Sequence, residues 1–407
     1  MEALVKNILP YGLLLLTFCG ISDALPIHFP LIIIWGITAL TIIVFYYARH
    51  YFPQNNMALI NLYVAWNIIC IIRGCFTAEI YWDWKNLIGT GFGMLMPVFC
   101  YAFAYPRCDS ILLKNLIKYV PILFVLLLFS TATDRPGRLL TFFYLFMVCF
   151  TAIPPKWKVL TFIVVLVSMF YDLDARSNAI RAIIALLIGF LYYIRTYIFR
   201  YLQIIQRYAL YIPILLFSLA AFGIFNIFKI DSYFGDYTMQ KVQNGKTEEI
   251  NLSADTRTLL YKEVLISSIK NGHTLLGCTP ARGYESHIFI FNSAEQRAIE
   301  IRQGERHGTE VSILNIYLHS GLIGVVLYFL IFYQASYLAI FKSRNTYIKL
   351  IGLFVIFRWC YGWIEDFNQF DINYAMLWMF ISMCYSVHFR QMTNSRFKIW
   401  LLGIIKK

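Results

Sequence analysis

The sequence predicts an all-α, polytopic transmembrane helix bundle of ten to twelve spans, with one large extracytoplasmic loop containing short helices. Three observations predict it. Hydrophobic residues make up 59% of the 407 positions and charged residues only 14%, too little polar surface for a soluble globule. The apolar residues fall in long unbroken runs and not in ten-residue alternating ones, so helices and not a barrel must satisfy the backbone in hydrocarbon. Lys and Arg segregate into alternate loops, as the positive-inside rule requires.

At roughly 20 mainly apolar residues per span, the runs give about twelve: 7–22, 28–48, 57–78, 87–105, 112–130, 138–153, 157–171, 178–194, 210–229, 311–341, 350–364 and 372–389. The sixth and seventh are short, and a tilted or re-entrant pair there lowers the count to ten. One set of loops carries the basic residues from Lys6 and Arg49 through Arg195, Arg200 and Arg207 to Lys406 and Lys407, against only Glu2 and Asp109. The opposite short loops carry Asp23, Glu79, Asp83, Asp134, Asp172, Asp174, Glu365, Asp366 and Asp371, with Lys85, Arg135, Arg138 and Arg176 as their basic residues. This puts both termini in the cytoplasm.

The net charge of +13 is then a topology signal facing anionic headgroups, not a nucleic-acid footprint. Of nine Cys, only Cys278 falls in the large loop, so no disulfide framework is expected. The first apolar run lacks a small-residue cleavage site, so no cleavable signal peptide is expected.

Three parts follow: N-terminal spans over 1–229, a loop forming a small cap over 230–310, and C-terminal spans with a cytoplasmic tail over 311–407. A loop of this length is functional or disordered, and this one is patterned. Leu259, Leu260, Val264, Leu265, Ile266 and Ile269 recur at helical spacing and predict an amphipathic helix from Asp255 to Lys270. Gly272, Gly277, Pro280 and Gly283 then mark turns, and a second polar helix is expected from Ser293 to Gly304. Phe397 to Lys407 is expected to lie in the cytoplasmic interface. No internal repeat is evident.

Three groups of residues carry candidate chemistry. Arg257, at the start of the loop helix, is either a solvated surface cation or a phosphate ligand aided by the helix N-terminus. His307 sits just before the tenth span; it is either a polar anchor or a base, since an imidazole with the usual pKa of ~6.5 accepts a hydroxyl proton at neutral pH. Glu310, three residues on, orients the ring if the helix starts near Gly308. Arg73, Arg176, Arg181 and Arg358 lie in or at the ends of spans, where each costs roughly 2.5 to 3.5 kcal/mol to insert and so needs a cavity or a partner. Glu79, Asp83, Glu365 and Asp366 are the competing partners, and Arg176 and Arg181 are the two expected to face a ligand. The sequence has no P-loop, no HExxH and no Gly-x-Ser-x-Gly.

The order of these features resembles the O-antigen polymerase and O-antigen ligase superfamily of bacterial envelope glycosyltransferases. The similarity covers roughly 165–335: Asp174-Ala-Arg176-Ser177-Asn178 leading into a span, Arg257 four residues before Tyr261, a Leu-Leu-Gly277 turn, His307-Gly-Thr-Glu310, and Gly321-Leu-Ile-Gly324. The resemblance implies a donor linked to undecaprenyl pyrophosphate, phosphate-binding roles for Arg257 and Arg176 with Arg181 or Arg282, and the base role for His307. Ligases typically show His-Asn and an aromatic where His307 is followed by Gly-Thr-Glu, so a repeat-unit polymerase making O-antigen or capsular polysaccharide is the leading expectation and a ligase acting on lipid A core the second. Such a reaction calls for no metal and no cofactor, and direct displacement inverts the anomeric centre. The expected partners are the lipid-linked oligosaccharide, the bilayer and a chain-length regulator, with no nucleic acid. A flippase of the same lipid-linked units is the competing class, and it would call for broken helices and inverted repeats, of which the sequence shows no sign.

Overall fold

The computed structural model describes residues 2–25, 29–51, 57–128, 137, 139–170, 176–226, 228, 238–243, 246–251, 256–286, 304–365 and 368–406. Its helices are α1 Glu2–Ile8, α2 Gly12–Ile21, α3 Leu31–Ala48, α4 Ala58–Thr77, α5 Tyr81–Met94, α6 Cys100–Phe103, α7 Pro106–Leu128, α8 Tyr144–Val148 and α9 Pro155–Phe170. They continue as α10 Arg176–Phe190, α11 Arg195–Tyr208, α12 Ile212–Ala221, α13 Thr256–Lys270, α14 Ser312–Phe341, α15 Thr346–Tyr361, α16 Ile372–Tyr385, α17 Val387–Gln391 and α18 Asn394–Ile405.

Among the described residues, six helical segments are long and apolar enough to cross a membrane: Leu31–Ala48, Ala58–Thr77, Tyr81–Phe103, Pro106–Leu127, Arg195–Ala221 and Ser312–Phe341. The sequence expectation of ten to twelve exceeds this number because several apolar runs fold into short pieces. The run over 138–153 becomes a 3₁₀ turn at Leu140–Phe143, the five-residue α8 and another 3₁₀ turn at Phe150–Ala152, with nearly every side chain buried. Helix α16, with 14 residues, rises only about 21 Å, short of the ~30 Å hydrocarbon core. Arg195, Arg200 and Arg207, read from the sequence as loop residues, belong to α11, which buries Leu202 and Gln206 and runs through a 3₁₀ turn into α12.

The core lies where α14, α15, α16 and α4 pack together. Trp378 and Trp359 are buried there, Trp378 lying against Tyr63, Tyr328 and Tyr374. The tail helix α18 is docked through Phe397, Leu401 and Ile404, and Trp400 Nε1 donates to Pro106 O at 2.7 Å.

The cap is not purely helical. Besides α13, which matches the amphipathic helix expected from Asp255 to Lys270, it contains an antiparallel hairpin of β1 (Thr238–Gln243) and β2 (Lys246–Asn251), Thr238 opposite Asn251. The expected helix over Ser293 to Gly304 lies outside the described residues except for Gly304. A short pair flanking it in sequence joins β3 (Tyr284–Glu285) to β4 (Glu305–Arg306).

Helix α14 is interrupted at Gly321, whose φ of 68° and ψ of −170° are open to glycine and not to side-chain-bearing residues. This corrects the expectation of unbroken helices. The cap turn inserts into the break: Cys278 N donates to Leu318 O at 2.8 Å, and Leu322 N donates to Thr274 O at 3.0 Å. Trp66 Nε1 donates to Ser320 O at 2.9 Å. Backbone groups freed by the break thus find partners inside the protein, as the interior of a membrane demands. Arg73 completes the clamp by donating to Leu276 O at 2.7 Å and Gly277 O at 3.2 Å, which accounts for one of the costly intramembrane arginines.

Candidate active site

A cavity of about 480 Å³ opens where this clamped cap meets the helix bundle. One wall is the segment from β4 into the first turns of α14, with Glu305, Arg306, His307, Glu310, Asn315 and His319; the other is α5. Tyr63 and Tyr374, packed on buried Trp378, form the floor, and Asn368 and Gln369 close one end.

Local sequence fixes the His307 wall. Val311 precedes α14 with extended φ −106° and ψ 118°, so the helix starts at Ser312. Asn315, within its first turn, reaches back to the lead-in: its Oδ1 accepts from Thr309 N at 2.8 Å and from Thr309 Oγ1 at 3.1 Å, and its Nδ2 donates to Thr309 O at 2.8 Å. Both ends of the Asn315 amide therefore hold the loop two residues from His307. On the other side β4 pairs with β3, Tyr284 opposite Arg306. Gly283 permits that approach, since a Cβ there would stand 2.2 Å from Arg306 O. Beneath, Thr279 adopts a φ of 81°, a strained value for a β-branched residue. Its hydroxyl bonds that of Thr77 at 2.9 Å and its carbonyl lies 3.3 Å from His319 Nδ1.

The residues given site roles in the sequence are not gathered in one place. His307 and Glu310 line the cavity. Glu310 does not sit one helical turn past His307, because α14 begins at Ser312; its carboxylate accepts from Arg306 Nη2 at 2.8 Å. Arg257, at the start of α13, lies outside the lining, with Nη2 3.8 Å from Glu365 Oε2 and Nε donating to Ile364 O at 3.5 Å. Arg282 also lies outside and grips Glu305 with two nitrogens, Nε at 3.0 Å from Oε2. Arg181 is buried on α10 and donates to Asn178 Oδ1 at 2.6 Å and Ser177 O at 3.2 Å, its guanidinium 5.9 Å from the Tyr361 ring centroid. Arg176 opens α10, and its side chain is outside the described residues.

Sequence reasoning missed the α5 wall. Trp82, Lys85, Asn86, Thr90 and Gly93 line the cavity at the spacing of one helix face. The start of α5 is capped by buried Asp83, whose Oδ2 accepts from Glu79 N at 2.8 Å and Ile80 N at 3.2 Å. The available signal was Lys85 itself, a basic residue in a loop set otherwise rich in acids.

A smaller polar recess of about 410 Å³ lies behind the β3–β4 pair, with His273, Cys278, Arg282 and Glu305 among its lining. Burial, with Glu305 adding to it, pushes the Cys278 thiol up to about 12, so it is not a thiolate near neutral pH. Burial and then the charges of Arg73 and Arg282 hold the His273 imidazole below its usual range, Glu305 opposing them. Among the described residues no three His, Cys, Asp or Glu side chains are grouped to hold a metal ion.

Comparison with protein-family models, with curated proteins and with solved structures finds no match to this chain.

Proposed function

We propose that the protein is a metal-independent membrane glycosyltransferase that joins undecaprenyl-pyrophosphate-linked oligosaccharide repeat units into an O-antigen or capsular polymer on the periplasmic side of a bacterial inner membrane. In this reading both termini are cytoplasmic, the cavity faces the periplasm, and the shorter helices complete a bundle of ten to twelve spans. The observation that carries it is the cavity at the junction of cap and bundle, which combines His307 with an aromatic floor and a polar helix face. The order of motifs from Asp174 to Gly324 supports the reaction class.

The reaction asks little of the protein. A sugar diphosphate is already a good leaving group, so positive charge near the departing phosphates and a base at the incoming hydroxyl suffice. His307 takes the proton of the acceptor hydroxyl as its oxygen bonds to the anomeric carbon. The bond from that carbon to the phosphate oxygen breaks, and undecaprenyl pyrophosphate departs with the electron pair. Arg306 is the guanidinium on the cavity wall, and Arg257 stands outside the cavity at the cap helix. The linkage formed is inverted relative to the donor.

A strain lacking the protein tests this by the length ladder of its surface polysaccharide, with His307→Ala as the complementing variant and its expression checked. A single capped repeat unit in the absence of the protein, unrelieved by the variant, supports the polymerase. Full-length polymer left on the carrier lipid identifies a ligase instead. A normal ladder with His307→Ala removes His307 from the chemistry.

The break in α14 beside His319 and Ser320 is the one observation that favours the transporter reading, since transporters bind cargo at interrupted helices. Here Cys278, Thr274 and Trp66 occupy the freed backbone groups named above, so they are not on offer to a substrate. A flippase would leave lipid-linked repeat units on the cytoplasmic leaflet when deleted.

A further inference from the structure

Polar side chains in a membrane protein's cavity ordinarily find partners in the protein, because an unsatisfied one is costly. On the α5 wall three in succession do not. Among the described residues the side chains of Lys85, Asn86 and Thr90 have no hydrogen-bond or ion-pair partner, although all three are half-buried. Lys85 Nζ lies only against the Trp82 ring, 4.6 Å from its centroid. Trp82 is itself half-buried at the cavity edge.

Each group has a defined preference. The face of an indole stacks on the apolar face of a sugar ring. A carboxamide and a hydroxyl both donate and accept, matching sugar hydroxyls. An ammonium without a carboxylate attracts an anion and forms charge-assisted hydrogen bonds with it. Across the cavity the carboxylates of Glu310 and Glu305 are held by Arg306 and Arg282, so neither is left to neutralise Lys85.

We infer that Trp82, Lys85, Asn86 and Thr90 form a subsite for a saccharide residue bearing an acidic group: the ring stacks on Trp82, the acid meets Lys85, and neighbouring hydroxyls bond Asn86 and Thr90. The inference rests on the glycosyltransferase reading only in taking the cavity as a saccharide site. It adds that the repeat unit contains an acidic sugar of the uronic acid kind. The chemistry of the wall favours this over a diphosphate ligand, because it offers an indole face and neutral hydrogen-bonding groups beside one ammonium, with no guanidinium fork.

The test is binding by the purified full-length chain in lipid nanodiscs, titrated with glucuronic acid, glucose and inorganic pyrophosphate by ligand-observed NMR, without turnover. Glucuronic acid is expected to bind about tenfold more tightly than glucose, the factor of about 1.4 kcal/mol that one charge-assisted contact provides. Lys85→Gln is expected to bring the two sugars level, Lys85→Arg to restore the preference, and Trp82→Ala to weaken both. Should Lys85→Gln fail to fold, Lys85→Met gives the same information, since it also removes the ammonium while keeping a side chain of similar length. Equal binding of the two sugars overturns the inference, and so does pyrophosphate binding that depends on Lys85 while glucuronic acid does not bind. Because no polymerisation is measured, a normal length ladder in the deletion strain with glucuronic acid still bound would reject the reaction class and leave the subsite standing.

Discussion

The two walls of the cavity are built on opposite terms. On the His307 wall many polar groups are bonded to one another: Arg306 to Glu310, Asn315 to Thr309, Arg282 to Glu305 behind it, and His319 to the Thr279 carbonyl. On the α5 wall Lys85, Asn86 and Thr90 are bonded to nothing else in the described protein. The first arrangement holds a short loop in one geometry, because a loop outside regular structure has no ladder of its own to stiffen it. The second needs no such support, since the α5 backbone already fixes its side chains. A bonded wall suits chemistry that depends on position, and an unbonded wall suits recognition of a ligand that supplies the missing partners.

The largest expected effect comes from breaking the foundation of the bonded wall. Gly283→Ala would put a methyl group 2.2 Å from Arg306 O and 3.0 Å from His307 Cα, so the β3–β4 pair must open. A destabilisation of about 2–3 kcal/mol is expected, the usual range for forced overpacking. Thermal unfolding in detergent measures it; an unchanged midpoint would mean that this strand pair is not part of the cooperative fold.

Next in size is the Arg282–Glu305 pair, whose side chains are 30% and 17% exposed. Arg282→Ala leaves a carboxylate in a half-buried recess and should cost about 1–2 kcal/mol. Adding Glu305→Gln should recover part of that, because the stranded charge is gone. If the double variant is as unstable as the sum of the two singles, the pair is not coupled. By contrast, Asn86→Ala and Thr90→Ala on the other wall should stay within about 0.5 kcal/mol of the parent, as for side chains that hold nothing.

How far the sequence foretold this architecture differs between backbone and side chains. The long helices were legible because the bilayer allows little else for an apolar run, and the expected tenth span over 311–341 is α14 almost to the residue. What hydropathy does not encode is length after folding: the run over 138–153 is apolar enough, yet it breaks into turns that are satisfied only because they are buried. The hairpin was missed although Asn244-Gly245 falls between its strands in the sequence, a strong two-residue turn signal. His307, singled out from its place just before a span, lines the cavity. The fate of the arginines was not legible, because the carboxylates that engage them come from elsewhere in the chain: Glu305 for Arg282 and Glu365 for Arg257.

Asn315 offers a smaller effect on the comparison, through position. Asn315→Ala removes the three hydrogen bonds that hold Thr309 and should slow transfer about tenfold while leaving saccharide binding on α5 unchanged, since effective catalysis depends on a fixed base. Asn315→Asp keeps the two acceptor contacts and should recover part of the rate. Equal losses in the two variants would mean that the amide's donated bond to Thr309 O alone matters. A loss of binding with no loss of rate would mean that Asn315 contacts the ligand and is not a positioning residue.

The smallest expected effect is a pH dependence behind the bonded wall, at His273. In the unfolded chain an imidazole titrates near 6.5; in the cap, burial and the guanidinium groups of Arg73 and Arg282 hold it lower, with the Glu305 carboxylate pulling the other way. Below about pH 6.5 the unfolded chain therefore takes up a proton that the folded cap does not. The stability associated with the neutral ring is present above that pH and is lost as the pH falls towards the folded value. His273→Asn removes this proton uptake, so between pH 7.5 and 5.5 its melting midpoint should fall less than the parent's. If the two fall in parallel, the acid sensitivity of the cap does not come from His273.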